Sequence, residues 1–274
     1  MNKNLRNRLI TSFLFIPVII FITVHGSIPY LILIETGIGI GVYEFFKILE
    51  AKGIRPYKSL GIASALLLGW SAYSQSYLYT FLILTVLLFV LSIAEFSRKD
   101  PSVAILHIST TFYGILYVGW LTSHLILLRE LPKATGEVYS LGGSYALLPF
   151  VLAWSYDTTA FFIGTRFGRF KILPRISPAK SWEGSIAGLL ACLIAVFIYK
   201  WFYASYLTYL DLIVLGVGCS FLAQMGDLVE SLIKRDAKVK NASEVIPGHG
   251  GFLDRLDSIL FVAPMVYYYL RFRP

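Results

Sequence analysis

Between Gly226 and Ser258 the chain reads GDLVESLIKRDAKVKNASEVIPGHGGFLDRLDS, which packs carboxylates, bases and glycines between two strongly apolar runs. Ionisable groups at membrane depth are costly, and they are found in protein-lined cavities, ion pairs and working sites. Read as a helix, Asp227, Ser231 and Lys234 share one face, with Glu230 on a neighbouring stripe. Pro247, Gly248, His249, Gly250 and Gly251 then give a turn with wide backbone freedom. The chain resumes an apolar run carrying Asp254 and Asp257, close enough to share a helix face. A single carboxylate in a first turn is explained by capping or by the helix dipole. Asp227, Asp254 and Asp257 converging with at least four nearby bases are not explained that way. Carboxylate oxygens suit Mg2+, and Lys and Arg suit phosphate oxygens. The pattern therefore points to phosphate chemistry on a lipid, in which the transferring group must be neutralised and held in line. His249 lacks the partners of a zinc site and reads as a phosphate contact, a proton-transfer group or a loop hydrogen bond.

A second polar connection, FFIGTRFGRFKILPRISPAKSWEGS over residues 161–185, carries Lys180. Pro174 and Pro178 forbid a regular helix through its middle, and Ser181 to Ser185 can restart one. Just before it Asp157 sits in an apolar run beside Ser155, Thr158 and Thr159, either as an interhelical hydrogen-bonding group or as a cavity or ligand group.

The elements that must position these groups are membrane-like. Of the 274 residues 57% are hydrophobic and only 15% charged, against about a quarter in soluble domains. Apolar residues come in long runs near the roughly 20 residues a bilayer core requires. They predict an all-α polytopic integral membrane helix bundle with about nine transmembrane helices, at 9–25, 28–46, 59–75, 77–95, 103–127, 141–165, 184–201, 209–229 and 252–270. With the N-terminus in the cytoplasm, alternation across nine spans puts nineteen of the 24 basic residues inside, a strong positive-inside signal. The first run, preceded by Lys3, Arg6 and Arg8, reads as a retained anchor because HGSIPY offers no small-residue cleavage site. The chain reads as a single integral membrane domain over 1–274, with the chemistry in 141–270. Cys192 and Cys219 fall in apolar runs and read as buried thiols. The net charge of +8 is spread over short loops, which serves topology and anionic lipids or phosphorylated substrates and argues against nucleic-acid binding.

SLIKRDAKVKN followed by PGHGGFLDRLDS closely resembles the signature of the phosphatidate cytidylyltransferase family, the CDP-diacylglycerol synthases: S-x-x-K-R-x-x-x-x-K-D, then H-G-G-x-x-D-R-x-D. The matching positions are Ser231, Lys234, Arg235, Lys240, His249, Gly250, Gly251, Asp254, Arg255 and Asp257. Asn241 stands where the family usually has aspartate, so position 241 either is not an indispensable charged ligand or acts through a hydrogen bond. QMGDLVES is similar to the family's Q-x-G-D-x-x-E-S and places Asp227 at its acid. SPAKSWEG resembles S-P-x-K-T-W-E-G, with Ser181 replacing threonine. In WSYDTTAFFIG, Thr159 stands where glycine is common.

This resemblance implies transfer of cytidylyl from CTP to phosphatidic acid, giving CDP-diacylglycerol and pyrophosphate, at a site facing the cytoplasm in the cytoplasmic (inner) membrane. It implies Mg2+, with one cation or two acting. Asp227 and Asp254 come first among metal ligands and Asp257 next. Lys234, Arg235 and Lys240 would hold phosphates, Lys180 and His249 would complete the pocket, and Ser231 joins the catalytic set by its motif position. It also implies a homodimer, for which Gly37, Gly39 and Gly41 offer a close-packing stripe usable within or between subunits. Two rivals remain. A CDP-alcohol phosphotransferase would need D-G-x-x-A-R with further spaced aspartates on one helix, and no such run occurs. A transporter would place charges near midplane on broken, repeat-related helices.

Overall fold

The computed structural model describes residues 17–239 and 251–273, and apart from one isolated β-bridge its regular elements are helices. Helix α1 covers residues 17–25. It is followed by α2 (Ser27–Ala51), α3 (Lys58–Tyr73), α4 (Tyr77–Glu95), α5 (Ala104–Gly114), a π-helical turn (Ile115–Trp120), α6 (Leu121–Thr135), α7 (Leu141–Phe167), α8 (Trp182–Tyr203), α9 (Tyr209–Asp236) and α10 (Leu253–Phe272). The apolar runs became helices close to their expected bounds. The fifth run is longer than expected, because α5, the π turn and α6 join into one rod.

The expectation of nine membrane crossings is corrected. Among the described residues five helices are long and apolar enough to cross a membrane: α4, the Ala104–Thr135 rod, α7, α8 and α9. The others fall short by charge or by length. Helix α2 carries Glu35, Glu44 and Lys47, α3 has only 16 residues, and α10 opens with Asp254, Arg255 and Asp257. Helix α10 packs against α9, α6, α7 and α2, and α2 packs against α3 and α6. Burial against protein and burial in lipid both demand apolar side chains, so hydropathy alone does not separate them. The first run extends into residues 1–16, outside the described residues. The nine-fold alternation behind the charge argument falls with the count.

Lipid exposure is plainest on α4, which buries only Thr80, Leu87, Leu91 and Glu95 and turns Phe81, Phe89 and Ile93 outward. Such a surface suits a bilayer and not water. The other half is tighter. Helices α7 and α8 form the most extensive pair, with Gly188 directly against the Tyr156 ring and the Tyr156 hydroxyl donating to Gln224 Oε1 on α9 at 3.0 Å. Cys192 and Cys219 are free and buried, as expected.

One end of the bundle is fastened by Arg129, which is 1% exposed. Its guanidinium donates to the carbonyls of Thr23 (2.9 Å), Val24 and His25 (3.2 Å each) at the end of α1, and to Tyr139 (3.2 Å). Gly26 is required beside it. Its φ is +73°, and a Cβ there would collide with the guanidinium. Lys133, Lys200 and Arg273 lie at this same end, in contacts with Glu130, Leu207 and Asp211. The sequence-predicted acids and Lys180 lie at the other end, where Lys52 of α2 reaches Asp236 of α9 at 2.5 Å.

Candidate active site

The polar end is built where α9 finishes, α10 begins and the α7–α8 connection folds across them. Helix α7 ends at Phe167, before the prolines, and Ser181 restarts the chain as the N-cap of α8, its Oγ accepting from the Gly184 N–H at 3.3 Å. The connection is held by an antiparallel bridge between Lys171 and Ser181, and Glu183 accepts from the N–H groups of Arg169 (3.1 Å) and Phe170 (3.2 Å). This frame carries Lys180 inward.

Lys180 donates to Asp227 Oδ2 on α9. Burial pushes its ammonium below the usual lysine range, and Asp157, Asp257 and Glu230 pull the other way while nearby Lys234 adds to the lowering. Two turns beyond Asp227, Lys234 bridges Glu230 Oε2 and Asp254 Oδ1, each at 2.5 Å. Asp254 uses its other oxygen to accept the Gly251 N–H at 2.9 Å. It is therefore an acid bonding back across the first turn as well as an ion-pair partner of α9. Asp257 is buried one turn later, with its Oδ1 accepting the Ser258 N–H at 2.8 Å. Its carbonyl lies against Gly226, where a Cβ would come within 2.2 Å. That contact brings α9 and α10 together beside Asp227. Asp157 accepts from Ser258 Oγ at 3.0 Å, which favours the interhelical reading of this acid and places it against the same helix.

Of the expected residues, the structure thus gathers Lys180, Asp227, Lys234, Asp254 and Asp257. Ser231 lies on α9 between Asp227 and Lys234. Arg235 is exposed and its Nε donates to the Ile176 carbonyl at 3.4 Å, tying α9 to the connection. Lys240 and His249 lie outside the described residues. The cluster joins two groups that the expected set of site residues did not include. Glu230 is buried beside Lys234, and its signal was the i,i+4 spacing to that lysine. Glu44 of α2 accepts the Phe252 N–H through Oε1 (3.0 Å) and the Leu253 N–H through Oε2 (2.7 Å), 208 and 209 residues away. No local pattern announces that contact.

No group of three or more His, Cys, Asp or Glu side chains among the described residues is arranged to hold a metal ion. The donors nonetheless have the right chemistry for Mg2+, since the acids here are hard oxygen donors and both thiols are buried in helix interiors. Mg2+ commonly takes one or two carboxylates and completes its shell with phosphate and water.

A model of the cytidylyltransferase family matches residues 6–273. The chain is 29% identical to a phosphatidate cytidylyltransferase of Bacillus subtilis over 97% of its own length and 98% of that protein. It is 32% identical to one of Synechocystis over 96% and 95%, and 37% identical to one of Haemophilus influenzae over 65% and 61%.

Proposed function

Because this chain belongs to the phosphatidate cytidylyltransferase family, we propose that it transfers cytidylyl from CTP to phosphatidic acid, forming CDP-diacylglycerol and releasing pyrophosphate. The observation that carries this reading is the interleaved set of acids and bases, Lys180 with Asp227 and Lys234 with Glu230 and Asp254, at one end of an apolar bundle. Such a site accepts a polyanion from water and an anionic headgroup from lipid together.

A phosphate oxygen of phosphatidic acid attacks the α-phosphorus of CTP. The new P–O bond forms as the bond from the α-phosphorus to the bridging oxygen breaks, and pyrophosphate leaves with the electron pair. The nucleophile is already ionised, so the chief barrier is repulsion between two anions and not proton removal. Lys180, Lys234 and Arg235, joined by Lys240, hold phosphate oxygens and offset that repulsion. Asp227 and Asp254, then Asp257, would hold Mg2+, which when bound neutralises charge on the transferring and departing phosphates. Ser231 and His249 complete the proposed pocket. A second cation and a homodimer are not needed for this scheme, and Gly37 is used within the chain, against Phe252.

We place the polar end at the cytoplasmic face of the cell membrane. What supports this is the gathering of Lys180, Lys234, Arg235 and Lys52 at the end where a soluble nucleotide must enter. Lys171→Cys, on the connection, should label from the cytoplasmic side of intact cells or oriented vesicles. Labelling only from the other side would reverse the orientation.

A further inference from the structure

Helix α10 carries two of the site acids, yet its N-terminal residue Phe252 gives it no side-chain cap. The first N–H groups of a helix need partners. Here they find one across the bundle, because the fully buried Glu44 carboxylate takes the Phe252 and Leu253 N–H groups, one on each oxygen. The same helix shapes the contact for the Phe252 ring. A Cβ at Gly37 would come within 2.9 Å of Phe252 Cζ, so the ring occupies space that only glycine leaves open. Helix α2 also touches the end of α9 through Lys52 and Asp236, but that pair is 40% and 60% exposed and holds little. Of these polar contacts from α2 to the site end, Glu44 is the buried one.

We propose that Glu44 is a positioning residue that sets the first turn of α10, and through it the place of Asp254 opposite Lys234 and Glu230. The role rests on the reading that these acids serve nucleotidyl transfer. Asp254 lies two residues from the clamped Phe252 N–H. Asp257 has its own anchor, the close approach of its carbonyl to Gly226. Loss of the clamp therefore displaces Asp254 more than Asp257.

The test uses full-length protein in detergent, with CTP and phosphatidic acid as substrates. Glu44→Gln keeps one acceptor but sets an amide NH2 against the other N–H. It should lower kcat about 10- to 100-fold, the range that a misplacement near 1 Å costs. Hydrogen exchange should quicken at the amides of residues 252–257 in this variant. Because Glu44 acts through Asp254, the double variant Glu44→Gln/Asp254→Asn should be no slower than Asp254→Asn alone. Thr208→Ala is the control. It removes the Thr208 half of the capping box that opens α9, roughly 28 Å along the helix from Asp227, and should lower thermal stability while leaving kcat unchanged. Gly37→Ala presses on Phe252 with Glu44 intact and should reproduce the kcat loss, so the role stays testable even if Glu44 variants do not fold. A wild-type kcat in Glu44→Gln or in Gly37→Ala, or losses that multiply in the double variant, would overturn the positioning role alone. No turnover by the wild-type protein would overturn it together with the functional reading.

Discussion

Asp254→Asn separates structure from chemistry at the centre of the site. Among the described residues the carboxylate accepts the Gly251 N–H at 2.9 Å and pairs with Lys234 at 2.5 Å. Asparagine keeps an acceptor for Gly251. It loses the charge-assisted bond to Lys234, which at 17% and 13% side-chain exposure is worth about 1.5–3 kcal/mol. Lys234 retains Glu230, so the buried ammonium is not orphaned. The variant should therefore fold, with a stability loss in the lower part of that range. If the acid also serves the reacting phosphates, turnover falls much further than stability would dictate, by about 100- to 1000-fold, equivalent to about 2.7–4 kcal/mol of transition-state stabilisation. The assay is turnover of detergent-solubilised protein across a Mg2+ titration, beside a thermal-unfolding curve for each variant. Extra Mg2+ should recover part of the loss. A folded Asp254→Asn protein with near-wild-type turnover at ordinary Mg2+ would refute the ligand role and leave the residue as an ion-pair and first-turn group.

Two further outcomes follow from the same geometry. Since burial lowers the Lys180 pKa, its ammonium is lost as pH rises through a value below the usual ~10.4, and turnover should decline over that interval. Lys180→Arg, which stays protonated, should move that decline to higher pH in a pH–rate profile; an unmoved alkaline limb would release Lys180 from phosphate binding. At the opposite end, Arg129→Met leaves the carbonyls of Thr23, Val24, His25 and Tyr139 without their donor, at roughly 1–3 kcal/mol for each one that water cannot reach. Thermal stability should fall steeply while kcat of the folded fraction stays near wild type; unchanged stability would remove Arg129 as a fastener of α1.

The sequence made helix positions legible because each apolar run is bounded by polar or proline-rich segments, as at Ser181 before α8 and the Thr208–Asp211 capping box before α9. It did not make the number of crossings legible. Helix α10 is apolar because Leu253, Leu260 and Val266 are buried among other helices, and a hydropathy window cannot see that partner. Motif residues on α9 and α10 were recognisable because short-range spacing and the family pattern coincide there. Lys180 was legible through SPAKSWEG, and the structure adds its pairing with Asp227. Glu44 was invisible for the opposite reason: its meaning lies in N–H groups 208 and 209 residues away, and it resembles any intrahelical glutamate until α10 is placed.

The decisive measurement supplies purified protein with CTP and phosphatidic acid in Mg2+ and follows the lipid and inorganic products together. One pyrophosphate should be released per CDP-diacylglycerol formed, turnover should depend on Mg2+, and no product should form when diacylglycerol replaces phosphatidic acid, because the attacking phosphate oxygen is then absent. Equal turnover of diacylglycerol, or CDP-lipid formed without pyrophosphate, would contradict the proposed transfer.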